Sequence, residues 1–374
     1  MFCFAGKVKM QFEGENMGTE KLSKATIRDV ARAAGVSQST VSRVLNKNGY
    51  VSAETLERVM QAVQALDYSP SAIAVSLSKS RSRIIGVIVP QIFAPFFSQL
   101  FYIADRIAEK YDYRLLLCNS ESSVVRERRL IDDLLSYKIA ALFIAPVDGQ
   151  EGSNAAYLNS IRLNGTPVVC VDRELTGIAC DGVYIDNYNA CYEVTCEVFM
   201  RGYRNIAYLA DPPVYAPGRQ RLAAFEAACQ EFGVTVPPEN RMLAPIEARE
   251  KRERFLYEIM HRETPPKAII NFSKGWDYGM LRAVTSTGKR VPNDVFLTGL
   301  DDDNVLRSFG YYTDYRPNTE EVATVAATLL MERVLHADEP VPEPVRTALT
   351  THLTSVLQRG TVFPEPDVKP MDLK

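Results

Sequence analysis

Hydrophobic positions change their rhythm along the chain. Between Ala25 and Leu66 they recur at helical spacing in three short runs, each entered by a small polar residue. Thr26 precedes IRDVARAA, Asp29 three residues on completes a capping box, and the run stops at Gly35. Ser37 precedes QSTVSRVLN, with Val36 placed to staple onto Val41 across the cap. Gly49 and Tyr50 break that run. Ser52 opens a third that reaches about Leu66, with Val51 stapling onto Leu56. Ser69-Pro70 then starts the segment PSAIAVSLSK, which at roughly ten residues is too short a helix to persist alone in water. From residue 84 onward, short apolar runs alternate with longer amphipathic ones, the pattern of parallel α/β units. Strands are expected at 84–89, 113–118, 140–145 and 167–171 in one half, and at 182–186, 205–210, 267–271 and 295–300 in the other. Two such sheets imply two lobes.

The first two helical runs, separated by a tight glycine turn, have the form of a helix-turn-helix, whose second helix enters the major groove. Ala31, Val36, Val41, Val44 and Leu45 are expected to pack inward, leaving Gln38, Ser39 and Arg43 outward. Those side chains suit base edges: Gln pairs with adenine, Arg with guanine and Ser with either. Charge supports this placement. The net charge of −3 divides into +5 over residues 1–83 and −8 over the remainder, so a basic head sits on an acidic body.

Ligands of open parallel sheets bind beyond the carboxyl ends of the strands. In the first half those positions hold Phe96 and Phe97, Asp148, and Asp172 with Arg173. In the second they hold Arg219 and Arg221, then Ser273, Lys274 and Trp276, then Asp301. Aromatic faces with Asp and Arg make a cleft for a sugar-type ligand, the rings covering apolar surface while forked polar groups bracket hydroxyls.

Composition narrows the class. Hydrophobic residues at 46% and charged residues at 24% describe a globular protein, and 374 residues suggest two or three domains. The longest apolar runs, IIGVIV and AALFIAPV, are far too short to span a bilayer, and MFCFAGKVKM lacks the features of a secretory signal, so a cytoplasmic protein without membrane association is expected. Seven scattered cysteines read as reduced core thiols, three histidines form no metal-type spacing, and no cofactor is expected. Asp148, Asp172 and Asp301 have no nucleophile–base signature beside them, and GRQRLAAF lacks the glycines and lysine of a phosphate loop, so the chain is not read as an enzyme.

The stretch ATIRDVARAAGVSQSTVSRVLN, followed by VSAETLERVMQAVQALDYSPSAIAVSL, resembles the headpiece of the lactose-repressor (LacI/GalR) family, with its GVS, TVSRVLN and YSP elements. The body resembles that family's sensor domain, itself similar to periplasmic sugar-binding proteins, through RIIGVIVP, APFF, VVCVDRE, YIDNYNA, RGYRNIAYLA, RQRLAAF and VPNDVFLTGLDDD. The resemblance implies that Gln38, Ser39 and Arg43 read bases, and that Thr26, Ser37, Thr40, Ser42, Asn46, Ser52 and Thr55 grip phosphates or hold the helices in register. It implies that Leu77 wedges into the minor groove at the operator centre. Val75 stands where relatives often carry a basic residue, leaving Lys79, Arg81 and Arg83 to find phosphates. Arg221 and Asp301 match the arginine and aspartate that commonly hold the effector, and Asp172 matches a cleft acid. The chain departs from the pattern at Tyr203, at Ala224, and at Ser273-Lys274, where an Asn-Asp pair is usual. The added cation makes a sugar phosphate or sugar acid a candidate beside a neutral sugar.

The expected organisation is a disordered arm at 1–23, with Met17 an alternative start, then an all-α helix-turn-helix headpiece at 24–69 and a hinge at 70–83. An α/β two-lobed periplasmic-binding-protein-like sensor domain follows at 84–360, and a tail at 361–374. The expected function is a transcriptional repressor that binds a pseudo-palindromic operator in duplex DNA as a homodimer under the control of a small carbohydrate-related effector. Control by a protein partner, or a sugar-binding protein without a regulatory role, are the competing readings. The proline-rich tail TVFPEPDVKPMDLK has no heptads for a tetramer-forming coiled coil.

Overall fold

The computed structural model describes residues 25–46, 49–68, 82–149, 152–245, 248–273, 276–300, 312–315, 319–349, 353–355 and 365–369. The chain divides into two compact units, Met1–Ser78 and Lys79–Lys374. The expected hinge helix, with Leu77, Lys79 and Arg81, lies outside the described residues, as do the N-terminal arm, Lys274 and Asp301.

The first unit holds three helices, α1 (Ile27–Ala34), α2 (Gln38–Asn46) and α3 (Ala53–Ala65). Each begins where a side chain satisfies backbone groups that a helix start leaves open. The Thr26 N–H donates to Asp29 Oδ2 at 3.0 Å and its hydroxyl to the same oxygen at 2.6 Å. Ser37 Oγ accepts from the Thr40 N–H at 3.1 Å, and Ser52 Oγ from the Thr55 N–H at 3.3 Å. Gly35 ends α1 at φ 65°, a left-handed conformation that glycine adopts without strain. Val30, Ala31, Ala34, Val41, Val44, Val59 and Ala62 form the core, with Val36, Leu45, Val51 and Tyr68 packed against it. Leu56, expected to staple onto Val51, is 46% exposed, while Val51 packs against the core.

The second unit contains two six-stranded sheets. Its chain runs β1 (Ile84–Val89), α4 (Pro95–Glu109), β2 (Arg114–Asn119), α5 (Val124–Ser136) and β3 (Ala141–Ile144), then a small hairpin of β4 (Asp148–Gly149) and β5 (Gly152–Ser153). Next come α6 (Ala155–Leu163), β6 (Val168–Val171), β7 (Asp181–Ile185), α7 (Asn187–Met200), β8 (Ile206–Ala210), α8 (Ala216–Glu231) and β9 (Arg241–Leu243). The remainder is α9 (Arg249–Met260), β10 (Ala268–Phe272), α10 (Asp277–Thr285), β11 (Phe296–Leu300), β12 (Tyr312–Tyr315), α11 (Thr319–Leu335), β13 (Arg346–Leu349) and β14 (Leu353–Ser355). The first sheet is all parallel in the order β13-β7-β6-β3-β1-β2. The second runs β14-β12-β11-β10-β8-β9, with only β14 antiparallel.

The eight expected strands all form, but the one expected at 182–186 belongs to the first sheet, where Val169, Cys170 and Val171 register against Asp181, Gly182 and Val183. Strands buried on both faces read alike in sequence, and only pairing assigns them to a sheet. The chain therefore passes from the first lobe to the second between β7 and α7. It returns with α11, which packs on α4, β6 and β7, and with β13, which pairs β7. It crosses again to lay β14 beside β12. One apolar cluster runs through both lobes from Ile85 and Phe143 to Phe225 and Phe272, while separate clusters fill the outer face of each sheet.

The returning segments are held by charge. Asp181, nearly fully buried, accepts two hydrogen bonds from Arg333 of α11 at 2.9 and 3.1 Å and one from the Val345 N–H at 2.7 Å. Residues 365–369 dock on the second lobe. Asp367 accepts from the Arg204 and Asn205 N–H groups at 2.8 Å each and pairs with Lys267 at 3.1 Å. The Asp367 and Val368 N–H groups donate to Gly202 O. Gly202 has φ 90°, and a Cβ there would stand 2.1 Å from Val368 O, so the tail docks on a position only glycine serves.

Among the described residues no helix is long and apolar enough to cross a membrane, and no cluster of His, Cys, Asp and Glu is arranged to hold a metal. The six cysteines described, 118, 170, 180, 191, 196 and 229, are free thiols, five of them buried. Burial pushes the Cys180 and Cys191 thiols up to about 12, which makes them poor nucleophiles at neutral pH.

Two outcomes are expected. Asp181→Ala should lower unfolding free energy by about 3 kcal/mol, because Arg333 is left part-buried without its carboxylate and the Val345 N–H without its acceptor; urea denaturation measures it. Glu127 supplies the second. Burial raises its carboxyl from 4.5 to about 7, against opposing hydrogen bonds from Asn154 and Val147 and the charge of Arg173. A folded-state value above the unfolded one means the native protein holds the extra proton, so its contribution to stability is present below pH 4.5 and is lost as pH rises through 7. Denaturant midpoints between pH 5 and 8 should fall with pH in the wild type and fall less in Glu127→Gln.

Candidate functional site

The head presents one polar face. Gln38, Ser39 and Arg43 of α2 are exposed, and Ser39 and Arg43 are four residues apart, so they lie on one side of the helix. The hydroxyls at its start are tied together: Ser37 Oγ lies 2.7 Å from Ser39 Oγ and 2.9 Å from Thr40 Oγ1. Ser52 donates to Thr55 Oγ1 at 2.9 Å. Thr26, Ser37, Ser52 and Thr55 are thus part of the capping structure that sets the helices. Ser42 is half-buried, and the side chain of Asn46 is not described. Exposed Gln and Arg side chains on a helix with an exposed start suit a polyanion with readable edges.

The body holds a cavity of about 530 Å³ between its two sheets, lined from the first lobe by Gln91, Ala94, Phe97, Asp172 and Arg173, and from the second by Asp211, Tyr215 and Arg221. Strand ends place these groups. Asp172 follows β6 with φ 64°, a left-handed conformation that Asp tolerates better than most residues, and this turn brings Arg173 beside it. Arg173 Nε is 3.8 Å from Asp172 Oδ2, and its guanidinium lies 4.0 Å above the Tyr215 ring of the other lobe. Arg173 Nη1 is buried without a hydrogen-bond partner. A second contact spans the lobes nearby, where Arg219 donates to Asp148 at 2.8 Å. The hairpin carrying Asp148 is anchored by buried Glu127, which accepts from the Val147 N–H at 2.7 Å and from Asn154 at 2.8 Å.

On the second lobe Arg221 is buried at the cavity wall. Its Nε donates to Asn187 at 2.9 Å and its Nη1 to the Phe272 carbonyl at 3.2 Å, while Asp211 Oδ2 stands 4.0 Å from Nη1. Two helices open onto the cavity: α4, which begins after Ala94 with Pro95, and α8, which begins after Tyr215 with Ala216 and has Pro217 in its first turn. Neither start has a side-chain cap. Gly218 allows the preceding loop to fold back, since a Cβ there would stand 2.8 Å from Pro212 O.

Of the cleft residues expected from sequence, Phe97, Asp172, Arg173 and Arg221 line the cavity together. Phe96 sits behind Phe97 in the core, its ring edge-on at 5.1 Å. Ser273 and Trp276 do not line it. Ser273 is fully buried and donates to Asp211 at 2.6 Å while accepting from Arg252 at 2.9 Å. Trp276 packs in the outer core of the second lobe under the Arg252 guanidinium, 4.3 Å from its ring. Sequence reasoning missed Gln91, Asp211 and Tyr215. Asp211 directly follows β8, so the same strand-end rule that selects Asp148 and Asp172 would have found it.

Comparison with known proteins places these two units. Residues 26–71 match the model of "Bacterial regulatory proteins, lacI family", and residues 198–356 match that of "Periplasmic binding protein-like domain". The transcriptional repressor PurR of Pasteurella multocida is 28% identical over 316 residues, 84% of this chain and 93% of its own. The transcriptional regulator KdgR of Bacillus subtilis is 27% identical over 329 residues, 86% of this chain and 94% of its own. The fold is that of the lac repressor dimer bound to operator and the anti-inducer ONPF, with TM-score 0.73, 22% identity, and coverage of 89% of this chain and 99% of that one. A LacI family regulator from Silicibacter pomeroyi has TM-score 0.75, 23% identity, and coverage of 89% and 100%. With a helix-turn-helix at one end, a two-lobed α/β body at the other and repressors matched over most of their length, the chain belongs to the lacI family of DNA-binding transcriptional repressors.

Proposed function

We propose that the protein is a cytoplasmic homodimeric repressor whose paired heads read a pseudo-palindromic operator and whose inter-lobe cleft takes a small polar effector. Residues 24–69 are assigned to DNA reading, 70–83 to a hinge that orders on DNA with Leu77 in the minor groove, and 84–360 to effector sensing and dimerisation, the last extended by the docked residues 365–369. In the head, Gln38, Ser39 and Arg43 read base edges, while the capping hydroxyls and Asn46 serve phosphates and helix register. In the cleft, Arg221 and Asp172 hold the effector with Arg173, Phe97 covers its apolar face, and Asp301 is assigned beside them by family resemblance. The effector is assigned to the carbohydrate class, as a sugar, a sugar phosphate or a sugar acid.

The observation that carries the effector reading is the meeting of two Asp–Arg pairs from opposite lobes in one cavity. A ligand touching both lobes changes their spacing only through its differential affinity for the two arrangements, and coupling of about 1–3 kcal/mol is enough for a working switch.

Operator binding should weaken steeply with salt, since Lys and Arg contacts to phosphate release counterions. Arg43→Ala should cost about 1–3 kcal/mol at one base position per half-site and relax specificity there, as read by fluorescence anisotropy on a set of single-base operator variants. A uniform loss on every sequence would make Arg43 a phosphate contact instead. Arg221→Ala should abolish the effector response of operator binding. Titrating the effector against the protein–operator complex measures this, and an unchanged response would place the effector site elsewhere or leave control to a protein partner.

A further inference from the structure

Asp211, at the end of β8, is braced from behind by side chains that are themselves held in place. Asp211 leaves β8 at its carboxyl end with a third of its side chain exposed to the cavity. Its Oδ1 accepts from Ser273 Oγ at 2.6 Å and from Arg252 Nη2 at 3.2 Å. Both donors are themselves locked. Ser273 is fully buried, and its N–H donates to Asn271 Oδ1 at 3.1 Å. The buried Arg252 donates twice to the Ala244 carbonyl and stacks on Trp276. Oδ2 lies 4.0 Å from Arg221 Nη1, close enough for charge attraction and too far for a hydrogen bond.

An ionised carboxylate accepts about four hydrogen bonds. With Oδ1 engaged from behind, the open capacity of Asp211 is on the edge beside Arg221. In the opposite lobe Asp172 Oδ2 stands 3.8 Å from Arg173 Nε, and Arg173 Nη1 is buried with no hydrogen-bond partner. Each lobe thus offers one acceptor and one donor about 4 Å apart. A hydroxyl both donates and accepts, so neighbouring hydroxyls of a ring answer each pair. Among the described lining residues each guanidinium has a carboxylate within 4.0 Å, and with Glu121 the acids outnumber the guanidiniums, so this part of the wall is net negative. An anionic ligand would face Asp172 and Asp211 at close range in a part-desolvated site.

Resting on the effector cleft assigned above, we propose that Asp211 is a specificity-determining residue of that cleft, braced by Ser273 and Arg252 to take a hydroxyl donor of a neutral, multiply hydroxylated ring. Ser273 and Arg252 are positioning residues, and the acid group that sequence suggested for the effector is disfavoured.

The test is isothermal calorimetry on the full-length protein with D-glucose, D-galactose and D-ribose, each beside its monodeoxy analogues, and with D-gluconate, D-galacturonate and D-ribose 5-phosphate. Removing the charge of Asp211 would leave the buried Arg252 uncompensated and threaten folding, so the variant is Asp211→Glu, which keeps the charge and displaces it by one methylene. A neutral sugar should bind at least tenfold more tightly than its acid or phosphate. Asp211→Glu should weaken that sugar tenfold or more while changing one of its deoxy analogues less than twofold. Ser273→Ala should narrow the same sugar-to-deoxy ratio several-fold, which a loss of stability alone would not do. Preference for the acid or phosphate, binding of none of the sugars, or an unchanged ratio in Asp211→Glu would each overturn the proposal. Full affinity in Arg221→Lys, with the sugar bound by the wild type, would instead refute the cleft assignment on which it rests.

Discussion

Parallel strands cannot be joined by tight turns, and this constraint organises the body. Every parallel strand must be followed by a crossover, so the carboxyl ends of all of them emerge at one edge of the sheet. Two sheets built this way and set edge to edge bring loops of the same kind together from both sides. The cavity residues obey that geometry: Gln91 follows β1, Asp172 and Arg173 follow β6, and Asp211 follows β8. The chain then passes between the sheets at three places instead of one, so neither lobe is built from a continuous stretch of sequence. The Asp181–Arg333 pair and the β13–β7 pairing join the late segments to the early lobe.

Charge inside the second unit is distributed by the same logic of burial. Arg252 and Arg221 are taken out of water, and each is matched by carbonyls, amides and the shared carboxylate of Asp211. Such a network is costly if any member is removed, which gives the cleft wall a single arrangement. Glu127 shows the other solution. It lies buried with the charge of Arg173 only partly offsetting that burial, and its carboxyl is raised to about 7.

The sequence made local structure plain where one residue type performs one task. Thr26, Ser37 and Ser52 mark helix starts because a hydroxyl or carboxylate must answer the open N–H groups, and Gly35 marks a stop because only a left-handed residue closes the turn. Strand existence was equally legible from apolar runs. Strand membership was not, since β7 carries the same pattern whichever sheet it joins. Within the cleft, Phe97, Asp172, Arg173 and Arg221 followed from strand ends, whereas Trp276 is an indole that the outer core consumes and Ser273 is a small hydroxyl that serves Asp211. Distance from a strand end does not say which way a side chain turns. The docked tail was hidden for a similar reason: Asp367 finds its partners at Arg204 and Asn205, more than 160 positions away, and nothing in its proline-rich surroundings announces that.

The contacts across the cleft have the size that a switch needs. The Arg219–Asp148 pair is substantially exposed, with Arg219 at 45%, and such a pair contributes about 0–1 kcal/mol. The Arg173–Tyr215 contact adds on the order of 0.5–1 kcal/mol, more where water is excluded. Together they are comparable with the coupling free energies of about 1–3 kcal/mol through which one site alters another. These bridges are polar and weak, so under the effector reading proposed above a ligand in the cleft would compete with them on equal terms. The anchoring of the Asp148 hairpin through Glu127 keeps one half of the Arg219–Asp148 bridge in place.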